Sequence, residues 1–279
     1  MHCRRYFTAL VVIAVGYLSQ IAQADVPELA KIKAAAEAGN PEAQYVFAKS
    51  FGAGGSDWKR WMGAAAAQGY GPAEDDLAWT SNWAIFATSH SDPKTKAYVV
   101  KNNGAQMRQA LILASSAADK GFHHSRLLLA YAYKEGYMVT VDRVEAYKWV
   151  LLAGGDELLA GISTSSVKNE LVKSMSMTEV KEGEARAENY RPGETAILIR
   201  NAMIVPRLKL AGIASSGGER VAILNGTKIS SGQNAQLRID GLTVEIHCVS
   251  IDDKEATVTL PPDDTPITLR TGSMRGISQ

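Results

Sequence analysis

Residues 117–153 read A-A-D-K-G-F-H-H-S-R-L-L-L-A-Y-A-Y-K-E-G-Y-M-V-T-V-D-R-V-E-A-Y-K-W-V-L-L-A, and this stretch decides the fold. Small residues fall where two helices have to touch: Ala118, Gly121, Ser125, Ala130, Ala146 and Ala153. Tyr131, Tyr133, Tyr147 and Trp149 fill the space between them. Gly136 and the following Y-M-V-T-V-D stop the first helix, and Asp142 is placed to cap the next through its side-chain oxygen. These features predict an antiparallel helix pair with a short turn, the unit from which α-solenoids are stacked.

The same spacing recurs upstream. A-E-A-G-N-P-E-A-Q-Y (36–45) aligns with A-A-Q-G-Y-G-P-A-E-D (66–75) and with A-D-K-G-F-H-H-S-R-L (118–127). In each, one small residue precedes the glycine by three positions and another follows it by four. W-M-G-A-A-A-A (61–67) and W-V-L-L-A-G-G (149–155) are the matching second helices. Gly39, Gly69 and Gly121 are unequally spaced, so the wider gap holds an insertion around S-H-S-D-P-K-T-K (89–96), read as a loop with Pro93 as helix breaker.

This pattern resembles the Sel-one-like repeat family, relatives of the tetratricopeptide repeats. Its consensus runs A-x-x-G-x-x-x-A, L-G-x-x-Y-x-x-G-x-G-V-x-x-D, K-A-x-x-W-x-x-x-A-A-x-x-G. The matching residues are Gly121, Ser125, Leu128, Ala130, Tyr133, Gly136, Val139, Asp142, Ala146, Trp149 and Ala153. The copy at 36–73 lacks the V-x-x-D turn in good form. The copy at 66–121 has Leu77-Ala78-Trp79 where Leu-Gly is expected, and no G-x-G-V loop. The resemblance covers roughly half the chain and implies an interaction surface built of stacked helix pairs.

The N-terminal residues read as an export signal. Arg4 and Arg5 give a positive start, Thr8 to Ile21 an apolar run, and Ala22-Gln23-Ala24 a cleavage site before Asp25. The run is short for a membrane anchor, the alternative reading. A periplasmic or extracellular protein without stable membrane insertion is expected. Of the 279 residues 46% are hydrophobic and 21% charged, with a formal charge of +1, so no basic field argues for nucleic acid. Loss of Arg4 and Arg5 leaves 28 cationic against 29 acidic side chains. Of the two cysteines, Cys3 leaves with the signal; Cys248 then has no partner and reads as a buried, inert thiol.

Helices are expected to continue through 156–192, with Thr178 and Glu182 as a start signal and Arg191-Pro192-Gly193 as a stop, capping the repeat array. From Leu208 the hydrophobic period changes to two. L-K-L-A-G-I, R-V-A-I-L, T-K-I-S, L-R-I-D-G-L-T-V-E-I-H-C-V-S-I, A-T-V-T-L and I-T-L-R read as five or six antiparallel strands. Asn225-Gly226 marks a tight hairpin, and Asp240-Gly241 kinks or turns the longest run. The expected architecture is therefore multi-domain α and β. A signal at 1–24 precedes an α/α solenoid with capping helices at 25–192 and a linker at 193–206. A small antiparallel β-barrel or sandwich follows at 207–271, then a disordered tail at 272–279. Leu210, Gly212, Ile213, Ala222, Ile223, Asn225, Gly226 and Val244 resemble the periplasmic β-domains of pilus-assembly and type II secretion components. That likeness implies a docking module at a bacterial envelope assembly.

No catalytic set emerges. There is no G-x-S-x-G, no S-x-x-K in a fitting context and no paired-carboxylate framework. His123 and His124 are adjacent on a helix and point about 100° apart, unsuited to one metal. Glu74-Asp75-Asp76 reads as a solvated acidic run at a helix start. Trp58 with Trp61 and Trp79 with Trp83 read as inter-helix core more readily than as groove lining. Tyr45, Tyr70, Tyr131, Tyr133 and Tyr137 are the candidate partner contacts, because tyrosine joins apolar area to a hydroxyl at low entropic cost. The expectation is an exported, non-catalytic adaptor for a protein or peptide, with neither cofactor nor metal. One alternative docks the β-domain in a secretion or pilus complex; another makes the chain a cell-wall-associated enzyme.

Overall fold

The computed structural model describes residues 26–88, 93–155, 158–159, 162–216 and 218–271. The expected signal and the tail at 272–279 lie outside them. Two compact units result, one ending at Thr80 and the other beginning at Ser81.

The first unit holds α1 (Val26–Glu37), α2 (Pro41–Lys49), α3 (Ser56–Ala67) and the start of α4 (Gly71–Thr88). Asn40 caps α2 as read from sequence, its Oδ1 accepting the Ala43 N–H at 2.8 Å, with Pro41 at the first helical position. α2 packs on both α1 and α3. Phe47, Ala48, Trp58, Trp61, Met62, Ala65 and Ala66 are buried, so the Trp58–Trp61 stripe is core. Phe47 meets Trp61 edge-on at 5.3 Å and Phe51 at 5.2 Å.

The second unit begins with α5 (Pro93–Asp119), α6 (His123–Glu135) and α7 (Arg143–Ala153). Residues 93–96, expected in a loop, are the first turn of α5: Pro93 starts this helix instead of breaking one, since the first position needs no N–H. Residues 89–92 lie outside the description. Gly136 is left-handed (φ 73°), and Asp142 Oδ1 accepts the Glu145 N–H at 2.9 Å. Both were legible in the quoted stretch.

The helices expected from 156 on are preceded by a pair of short strands. Leu158–Leu159 (β1) pairs antiparallel with Ile162–Ser163 (β2) before α8 (Thr164–Ser174). α9 (Met177–Glu188) starts at Ser176, not Thr178. The Ser176 hydroxyl accepts the Glu179 N–H while the Glu179 carboxylate accepts the Ser176 N–H, a reciprocal capping box. Both helices pack on α7.

The expected linker at 193–206 is mostly helix, α10 (Thr195–Ile204), running into a 3₁₀ turn at Val205–Arg207. Ile199, Met203 and Ile204 are buried, and α10 packs on α5. Its apolar side chains need that cover, and an extended joint would expose them.

Seven strands follow. β3 (Leu210–Ser216), β4 (Glu219–Leu224) and β5 (Thr227–Ser230) form one antiparallel sheet. β6 (Asn234–Ile239), β7 (Leu242–Ile251), β8 (Glu255–Leu260) and β9 (Asp263–Arg270) form another. The sheets do not close into a barrel; they share one core. Leu210, Ala222, Leu224 and Ile229 face Leu237, Ile239, Val244, Ile246, Cys248, Val258 and Leu260, and the α10 end adds Ile204. The strand count exceeds the expected five or six because Asp240-Gly241 is a full two-residue turn, with φ 49° and 85° and Ile239 paired to Leu242. Cys248 is buried, and burial pushes its thiol pKa up, keeping it an unreactive thiol. Among the described residues, no helix is long and apolar enough to cross a membrane.

Candidate functional site

The repeat glycines make one corner three times. The Gly39 N–H donates to the Ala36 carbonyl at 3.0 Å and the Asn40 N–H to Ala35 at 3.1 Å. Gly69 and Tyr70 donate to Ala66 and Ala65 at 2.9 and 3.2 Å; Gly121 and Phe122 donate to Ala118 and Ala117 at 3.0 and 3.1 Å. Each is a Schellman end, requiring a left-handed residue that glycine supplies without a Cβ penalty: φ is 93°, 74° and 94°. The alanine three residues before each glycine is buried, as are Ala73 and Ser125 four residues after two of them. Five residues after the glycine, Gln44 donates back to the Ala36 carbonyl at 3.1 Å, and Arg126 to Ala118 at 3.0 Å. The helical corner repeats in hydrogen bonds as well as in sequence.

Each corner fixes what surrounds it. Tyr45 and Tyr70, one on α2 and one at the second corner, bring their rings to 5.5 Å at a 53° tilt. Both are half-buried. The Tyr45 hydroxyl donates to Asp76 Oδ2 at 3.2 Å, and Lys49 Nζ donates to the same oxygen at 2.8 Å while lying 5.6 Å from the Tyr45 ring centre. Burial, then the Glu42 carboxylate, raises the pKa of Tyr70. Val46, next to Tyr45 in the sequence, is 43% exposed. Pre-set aromatic rings with an apolar neighbour and opposite charges at the rim have the make-up of a partner-contact patch.

The other three candidate tyrosines are not surface residues. Tyr131, Tyr133 and Tyr137 are 4%, 9% and 2% exposed, because the face of α6 that carries them turns inward. They pack the interior of the repeat. The acidic run is corrected too: Glu74 and Asp75 are buried, and Asp76 bonds within the tyrosine patch. His123 has a packing role; its Nδ1 lies 2.9 Å from the Ala153 carbonyl, while Arg126 donates to Leu152 at 2.6 Å, so both meet orphan carbonyls at the end of α7. Among the described residues, no group of three His, Cys, Asp or Glu side chains could hold a metal ion.

Two polar hubs in the second unit escaped the sequence reading. Glu145 accepts the Trp149 Nε1–H at 3.1 Å and a Lys148 ammonium hydrogen, and its second oxygen lies 3.3 Å from Arg186. Asp119, at the end of α5, accepts the Thr195 N–H at 3.2 Å and the hydroxyls of Thr195 and Tyr190, capping α10 from a distant element. A tie of 76 positions leaves no local signature.

Burial and then the Asp119 contact push the Tyr190 pKa up to about 12. In the unfolded chain it ionises near the ordinary ~10. The fold thus favours the neutral phenol, and this contribution is complete below the unfolded value and lost as pH rises through the folded one. The urea midpoint should fall more steeply between about pH 10 and 12 in the wild type than in Tyr190→Phe. Parallel curves would remove Tyr190 from the alkaline transition.

No protein family and no curated protein matches the chain. Among solved structures it resembles a protective antigen present in uropathogenic Escherichia coli strains displaying an SLR fold. Identity is 19% and the TM-score 0.37, over 71% of this chain and 48% of that one. The chain thus spans about half the length of that structure. The repeat assignment rests on the three glycine corners, not on this likeness.

Proposed function

We propose that this protein is an exported, non-catalytic adaptor whose first unit holds a protein or peptide of the cell envelope on the Tyr45–Tyr70 face. The observation that carries the reading is the tilted tyrosine pair, pinned by Asp76 and Lys49 and left partly open to solvent. Its side chains are ordered before any partner arrives, so binding pays little for immobilising them. Export draws its support from the N-terminal pattern alone. A secretion or pilus assembly supplies partners of the required class.

Replacing both Tyr45 and Tyr70 by Ala should reduce partner capture from envelope extract at least tenfold, since central tyrosines of an interface are worth about 2 kcal/mol each. Circular dichroism should show the helices intact, because both rings are half-exposed. Undiminished capture by a folded double variant would exclude this face.

A further inference from the structure

In the second unit a cavity of 530 Å³ opens between α5 and the turn joining β6 to β7. Lys101, Arg108, Arg207 and Asp240 line it, with Gly104 and Met138. Three cations thus face one carboxylate. Asp240 does not satisfy them. It accepts Arg207 Nε at 2.7 Å, but its closest carboxylate oxygen stands 3.8 Å from Arg108 Nη1, beyond a hydrogen bond. Arg108 Nη2 reaches only the Asp240 main-chain carbonyl, Nη1 touches Met138 Sδ at 3.5 Å, and the buried Nε has no hydrogen-bond partner. Lys101 forms no ion pair among the described residues.

Gly104 lies inside the 27-residue α5, where glycine is disfavoured relative to alanine. The Arg108 guanidinium folds back over it along the same helix: a Cβ there would stand 3.4 Å from Arg108 Nη1, at the near edge of ordinary van der Waals contact.

We propose that this cavity binds a small phosphorylated molecule, its phosphate held by Arg108, Arg207 and Lys101 with Asp240 at the edge. Arg207 Nη1 already donates to the Met203 carbonyl, so it is the summed charge of two guanidinium groups and one ammonium that suits a dianion better than a singly charged carboxylate. The volume exceeds what a phosphate needs and leaves room for the group that carries it. Burial, reinforced by Arg207 and opposed by Asp240, lowers the Arg108 pKa, consistent with a cation short of anionic partners.

Inorganic phosphate is the probe, titrated calorimetrically into the full chain in a zwitterionic buffer, with acetate as the singly charged comparison. Saturable binding is expected, stronger for phosphate than for acetate. Arg207→Gln and Lys101→Gln should each weaken it about tenfold. Asp240→Asn should strengthen it by a similar factor by removing the competing charge. That variant is expected to fold, since Asn tolerates the left-handed φ of 49° and turns the loop into a second Asn-Gly hairpin like 225–226. Failure of both wild type and Asp240→Asn to show saturable phosphate binding would overturn the proposal. So would binding that the Arg207 and Lys101 variants leave unchanged.

Discussion

Replacing Trp149 by alanine is expected to lower the unfolding free energy by about 3–5 kcal/mol, a large part of what a domain of this size has in reserve. The indole is 1% exposed and meets Tyr190 edge-on at 5.4 Å. Lys148 Nζ lies 4.3 Å from its ring centre, and its N–H donates to Glu145. Deletion removes apolar burial, leaves a void between α7 and the α9–α10 connection, and takes one of three donors from a carboxylate that is largely shielded from water. Trp149→Phe keeps the ring and loses the donor, so its cost should fall well below that of alanine. Urea denaturation of the three proteins makes the comparison; a loss under about 1.5 kcal/mol for alanine would mean the second helix of this repeat is not packed as described.

Gly183→Leu is expected to have the next largest effect. Gly183 is the buried residue of α9, at its crossing with α7. A Cβ built there would stand 2.7 Å from Tyr147 Cδ1 and 3.3 Å from the Val144 carbonyl oxygen. Tyr147 is itself buried and the carbonyl belongs to a helix, so neither neighbour can move freely. Helix propensity pulls the other way, since alanine gains about 1 kcal/mol over glycine in a helix interior. Overpacking of about 1–3 kcal/mol outweighs or cancels that gain for alanine and exceeds it clearly for leucine. Gly63, inside α3 with nothing within 4 Å of its Cβ position, is the control, and there alanine should stabilise. A thermal midpoint raised by Gly183→Ala as much as by Gly63→Ala would contradict the close α7–α9 contact.

The parts of the fold that were legible are those that local chemistry dictates. Gly39, Gly69 and Gly121 end helices because only a residue at ease with positive φ closes the double hydrogen bond there. Asn225-Gly226 announces a hairpin for the same reason, while Asn40 and Asp142 announce caps because a short side-chain oxygen can accept a free N–H of the first turn. Period-two alternation marks the strands but leaves barrel and sandwich equally open, and the structure decides for two sheets.

What stayed hidden depends on which way a helix turns. Tyr131 and Tyr133 have the same composition-level promise as Tyr45, yet α6 buries them while α2 leaves Tyr45 half-open. Glu74 and Asp75 read as solvated because a charge run gives no hint of the cover supplied by packing. Asp119, Glu145 and the Arg108 cavity join residues tens of positions apart, beyond any local pattern. The helix at 195–204 was readable after all: Ile199 and Met203 sit four apart and share a buried face, but the Pro192-Gly193 pair beside them drew the reading toward a joint.

Photocrosslinking in intact cells tests the adaptor reading most directly, with a photoreactive amino acid placed at Tyr70 in one strain and at the exposed, distant-in-sequence Tyr98 in another. A discrete adduct to one envelope protein from position 70, absent from position 98 and lost when Tyr45 is also alanine, is the expected result. Adducts equally abundant from both positions, or from neither, would contradict a partner held on the Tyr45–Tyr70 face.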